Sequence, residues 1–176
     1  FFVSCSTHHS TGTRSEYDPE ICIRWSDSTK LQWSDFQGIP NAVDPTRLHV
    51  QIDASFDKGT LFRPSGVTVD CYFLKMVSWV KKARATDEFL FFNQTLFDLY
   101  ELEARKLRKK LAETDFARLD ANDVFLQIVR EHLDEVDLIR ARFEVETKMG
   151  TDVKKVHEWS ESVGRELVSL TSYRLQ

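Results

Sequence analysis

The sequence predicts an α+β fold: a twisted antiparallel or mixed sheet in the first half, then three long helices packed on one of its faces. Two changes along the chain carry this. Up to about residue 82, apolar residues recur with period two in short runs separated by turn formers. Beyond Arg84 the period lengthens to about 3.6, the repeat of an amphipathic helix.

The opening Phe1-Phe2-Val3-Ser4-Cys5 reads as the end of a bacterial lipoprotein signal peptide, in which Cys5 becomes the lipidated first residue. Residues 6–19 are rich in Ser and Thr and close on Asp18-Pro19, as suits a flexible tether. The expected organisation is therefore a signal remnant at 1–4, a tether at 5–19 and one folded domain at 20–176.

Within that domain, Ile21-Cys22-Ile23-Arg24-Trp25 is a first strand and the run from Leu48 to Phe56 a second. The run from Val67 to Val80 is a third, with Val67, Val69, Cys71 and Phe73 on one face. Asp57-Lys58-Gly59 and Pro64-Ser65-Gly66 supply turns. Phe89, Phe92, Leu96, Leu99, Leu107 and Leu111 trace one face of a helix over about 86–113, with Thr86 as N-cap and Asp87 and Glu88 suiting its positive end. A second helix spans about 122–148 and stops at Gly150; a third covers about 152–173.

A chain of 176 residues is long enough for one well-filled core. Its net charge of -4 offers no general attraction to phosphate backbones, so nucleic acid is not an expected partner. No window approaches the roughly 20 apolar residues of a spanning helix, which leaves the lipid on Cys5 as the one expected membrane attachment. The protein is expected to be exported, either to the cell envelope as a periplasmic or outer-membrane lipoprotein, or by secretion. Cys22 and Cys71 would pair in an oxidising compartment if their strands are neighbours.

Ile23-Arg24-Trp25 followed by Leu31-Gln32-Trp33-Ser34-Asp35-Phe36-Gln37-Gly38-Ile39-Pro40 resembles the opening of the bacterial secreted zincin-like proteins of the DUF922 family. Val77-Ser78-Trp79-Val80, the helix segment from Asp98 to Arg108, the stretch Phe143 to Thr147 and Trp159 extend the resemblance over nearly all of the chain beyond residue 20. It implies a zincin-like α+β fold. It also implies a zinc site, because the family's long helix carries His-Glu-Gln-x-His-Phe-Asp. Two His four residues apart hold the metal from one helix face, and the Glu polarises the bound water.

In the same register this chain reads Phe92-Asn93-Gln94-Thr95-Leu96-Phe97-Asp98. Phe92 and Leu96 replace the two His and have no lone pair for a metal. Asn93 replaces the Glu, and an amide cannot serve as the general base. The resemblance places a third ligand near Met149, a poor zinc ligand but a good filler of apolar gaps. No zinc and no catalysis are therefore expected. Phe92 and Leu96 should instead join the core, adding a few kcal/mol if both are buried.

Rival sites have plainer explanations. His157 and Glu161 are four residues apart but have no third ligand, and suit a surface patch of a helix. His8 and His9 lie in the tether. Arg105, Lys106, Arg108, Lys109 and Lys110 read as a solvated helix face. The leading expectation is a pseudoenzyme of the metalloprotease-like type that binds a protein, peptide or envelope component in the former groove. The alternatives are a structural envelope lipoprotein with a collapsed groove, and a secreted zinc-dependent peptidase with relocated ligands.

Overall fold

The computed structural model describes residues 18–41, 46–57, 66–116 and 120–175. Strands β1 (Cys22–Arg24), β3 (Val50–Asp57) and β4 (Gly66–Leu74) form an antiparallel sheet in the order β1-β4-β3, and β2 (Thr46–Arg47) pairs with β5 (Trp79–Val80) in a two-stranded sheet. Three helices follow: α1 (Asp87–Ala112), α2 (Ala121–Glu146) and α3 (Val153–Ser169). The fold is thus α+β, a small antiparallel sheet with three helices.

Register fixes what each strand buries. Ile23 and Val50 lie opposite Phe73, Ile52 opposite Cys71 and Ala54 opposite Val69, so one face of the sheet presents a continuous apolar surface to the core. The alternation of Val69, Cys71 and Phe73 is the pattern read from the sequence. On the other face Cys22, Tyr72 and Leu74 form a small second cluster. Cys22 and Cys71 therefore point to opposite sides of the sheet, and the expected pairing between them is wrong. Cys71 is a free, buried thiol, while Cys22 is disulfide-bonded.

The expected single strand from Val67 to Val80 is also interrupted. After Leu74 the chain makes a 3-10 turn at Lys75–Val77 before β5. The reason is the opening segment, which crosses here: Gln37 N–H donates to the Lys75 carbonyl (3.1 Å) and Gly38 N–H to that of Ser78 (2.8 Å). A Cβ on residue 38 would lie 2.9 Å from the Ser78 oxygen, so the crossing requires glycine.

The helices do not all pack on the sheet, contrary to expectation. α1 lies on β3 and β4, α3 packs on α1, and α2 leans on α1 and β3. α1 is consequently enclosed on several sides, and its buried residues include Asn93, Gln94, Thr95, Glu101, Glu103 and Arg105. Thr86 caps it as expected, accepting from Phe89 N–H (3.2 Å). α3 ends at Ser169, short of the expected 173, and a 3-10 turn at Thr171–Tyr173 follows. The link between α2 and α3 takes left-handed backbone at Lys148, Met149 and Gly150. Cys5, His8, His9 and most of the expected tether lie outside the described residues.

Candidate functional site

Phe92 and Leu96 are buried on α1, where the apolar stripe placed them. Phe92 stacks on Phe89 (ring centroids 5.4 Å apart) and on Phe143 of α2 (5.0 Å), and Phe143 meets Trp159 of α3 edge-on (5.4 Å). Phe92 is thus the middle of an aromatic column that joins all three helices. Gly150 closes the column from above: at φ +81°, a Cβ there would lie 2.8 Å from Phe92 Cγ. Two constraints, backbone and space, both call for glycine.

Asn93 is fully buried. Its Nδ2 donates to the Phe89 carbonyl (2.7 Å), while Oδ1 finds no partner among the described residues. One amide N–H is thus bonded back to its own helix.

Gln94, Phe97 and Asp98 hold other segments to α1. Gln94 Oε1 accepts from Leu31 N–H (2.9 Å), and its Nε2 donates to Asp98 Oδ1 (2.9 Å), which also accepts from Trp25 Nε1 (2.8 Å). Phe97 is buried against Phe73. Gln94 and Asp98 therefore fasten Trp25 and Leu31 of the opening segment to α1. Burial pushes the Asp98 carboxyl above its ordinary range, and the bonds from Trp25 and Gln94 partly offset this.

Met149 lies half exposed in the left-handed link, with Arg84 Nη2 3.5 Å from its carbonyl oxygen. Glu146 accepts from Arg142 Nε (2.7 Å) and Trp159 Nε1 (2.9 Å), and these bonds hold its carboxyl below the ordinary range. His157 lies tilted against Phe91 (ring centroids 4.7 Å apart). Among the described residues no group of three His, Cys, Asp or Glu side chains is placed to hold a metal ion. An open depression of about 350 Å³ remains at the start of α1, bordered by Arg84, Thr86, Glu88, Phe89, Gly150 and Val153.

The reading of residues 105–110 as a solvated basic face needs correction. Arg105 is 2% exposed, with Nε on Glu101 (2.9 Å), Nη1 on the Leu167 carbonyl (2.7 Å) and its guanidinium over Trp25 (5.1 Å). Arg108 also reaches Glu101 (2.8 Å), and donates to the carbonyls of Val69 (2.8 Å) and Tyr173 (3.2 Å). Lys106 bridges Glu103 (2.9 Å) and Glu166 (3.3 Å), and His132 Nε2 donates to the Glu103 carbonyl (2.9 Å). Lys109 and Lys110 are exposed, as expected. The signal was present in the spacing: Glu101 precedes Arg105 by four residues, and Glu103 precedes Lys106 by three.

Compared with known proteins, the chain matches no family model, no curated protein and no solved structure.

Proposed function

We propose that this chain is a non-catalytic, zincin-like protein of the cell envelope that binds a protein, peptide or envelope component beside its degenerate metal motif. The reading rests on the resemblance of the opening segment and of α1 to zincin-like proteins. The observation that carries it is the set Phe92, Asn93 and Leu96, where the motif needs two imidazoles and a carboxylate. The aromatic column through Phe92 supports it, since a side chain packed between two rings cannot coordinate a metal. The depression bordered by Arg84 and Phe89 is a concave surface next to that column, and is where a partner would enter.

The test is metal analysis and a peptidase assay on protein purified without chelator. The expected result is no stoichiometric zinc and no cleavage of unstructured substrates. One zinc per chain that survives dialysis would instead support the reading as a peptidase with relocated ligands.

A structural envelope role, without a partner in the groove, is favoured by the same column, which fills the space under the motif. Substitutions at Arg84 and Val153 that abolish a measured partner interaction without unfolding would argue against it.

Attachment through a lipid on Cys5 belongs to this reading, and no described helix is long and apolar enough to cross a membrane. A Cys5 sulfur in a thioether cannot also form a disulfide. Protein extracted from the envelope should therefore carry a lipid on Cys5. A Cys5–Cys22 cross-link in the mass spectrum would overturn the anchor.

A further inference from the structure

On the reading that a partner enters beside Phe92, we propose that the depression at the start of α1 takes the terminal carboxylate of a peptide whose last side chain is apolar. Arg84 supplies the cation on its lining. That guanidinium lies 4.7 Å from the centroid of the Phe89 ring, and its Nη2 makes one long bond, 3.5 Å, to the Met149 carbonyl. Its Nε is shut off from solvent and has no acceptor among the described residues. Unlike Arg24, Arg140 and Arg142, which each meet a carboxylate, Arg84 enters no ion pair among the described residues. A shielded donor without an acceptor is costly. A carboxylate has two oxygens that match the planar guanidinium fork, and supplies what this resting pose lacks once the side chain turns from Met149 toward it.

The rest of the lining selects which carboxylate. Phe89 and Val153 give it apolar surface, Val153 being 40% exposed, and Met149, beside Gly150 of the lining, is 50% exposed. At a chain end the carboxylate and the last side chain leave the same Cα, so one can meet Arg84 while the other covers Val153 and Phe89. An Asp or Glu side chain carries its carboxylate on a short methylene stem and brings little apolar surface with it. The volume of about 350 Å³ is at the small end for ligand sites, roughly 300–1,000 Å³, which suits the end of a chain over an extended segment. Glu88 stands exposed on the same lining, and its charge disfavours a second acidic group in the ligand.

Amide-shift titration of the isotope-labelled whole chain tests this, with N-acetylated tripeptides ending in leucine whose carboxy terminus is either free or amidated. The free acid should shift the amides of Thr86, Gly150 and Val153 with a dissociation constant of about 0.1–1 mM. The amide should bind at least about tenfold more weakly. Arg84→Gln should abolish that preference, and Glu88→Gln should tighten the acid about threefold. Equal binding of acid and amide to the parent chain would overturn the proposal and leave the depression a peptide site of another kind. An amidated peptide with an internal aspartate that binds as tightly as the free acid would overturn the assignment to a chain end. Acetate binding as tightly as the peptide would overturn it too, since the apolar surface would then contribute nothing. No saturable shift with any of these up to about 10 mM would also overturn it. The non-catalytic reading fails separately, on stoichiometric zinc. Should Arg84→Gln unfold, the comparison of acid with amide in the parent chain still decides.

Discussion

The two halves of α1 are both enclosed, but by different chemistry. In the first half Phe89, Phe92 and Leu96 fill space with rings and branched carbon, and the polar residues that remain are tied to backbone or to the opening segment. In the second half Glu101, Arg105 and Arg108 form an ion cluster that also takes the carbonyls of Val69, Leu167 and Tyr173. The first half needs shape and the second needs complete pairing. A lost methylene is tolerated in proportion to its size, whereas a lost charge leaves its partner stranded in a region poor in water.

The largest expected effect is from installing a His-Glu-x-x-His motif with Phe92→His, Asn93→Glu and Leu96→His. Two imidazoles would replace stacked or buried apolar groups, without the fixed acceptors that ligating His normally use. Loss of packing and unpaired polar groups should together cost on the order of 5 kcal/mol in urea denaturation without metal. Added zinc should recover part of that by binding only the folded state, yet no peptidase activity should appear. A robust peptidase from these three changes would show that the rest of an active site is intact.

Next is Glu101→Ala, expected to destabilise by about 3–5 kcal/mol because Arg105 and Arg108 lose their shared carboxylate. Glu101→Gln should be milder, since the amide oxygen still accepts. A Glu101→Gln variant as stable as the parent would mean that packing and hydrogen bonding, not charge, dominate this half of the helix.

Leu96→Ala should cost about 2–5 kcal/mol, mostly as cavity and lost contact. A change near zero would show that the helix face relaxes onto the gap, and would blur the contrast between the halves.

The smallest effect concerns Asp98, at the junction. Its carboxyl is raised in the folded state, so the fold binds a proton here more tightly than the unfolded chain does. The stability this group contributes is full below the ordinary carboxylate range and is lost as pH rises through the raised value. Asp98→Asn keeps an oxygen for Trp25 and Gln94 and removes that loss, so the variant should match or slightly exceed the parent at pH 7. The difference should shrink on acidification. Asp98→Ala, which strands both donors, should cost about 1–3 kcal/mol.

By itself the sequence determined the three strands of the larger sheet and the three helices in order, the Thr86 cap and the burial of Phe92 and Leu96, because each follows from a local period or a capping residue. The inward set Val69, Cys71 and Phe73 was legible for the same reason. The tertiary structure decided what depends on residues distant in the chain. The opening segment's crossing at Gly38 broke the strand after Leu74, and strand register sent Cys22 and Cys71 to opposite faces. The basic run at 105–110 looked solvated because periodicity shows only which face is apolar. It could not show that α3 and the chain's end would cover the other face and turn Arg105 and Arg108 into buried partners of Glu101, since that enclosure comes from segments more than sixty residues away.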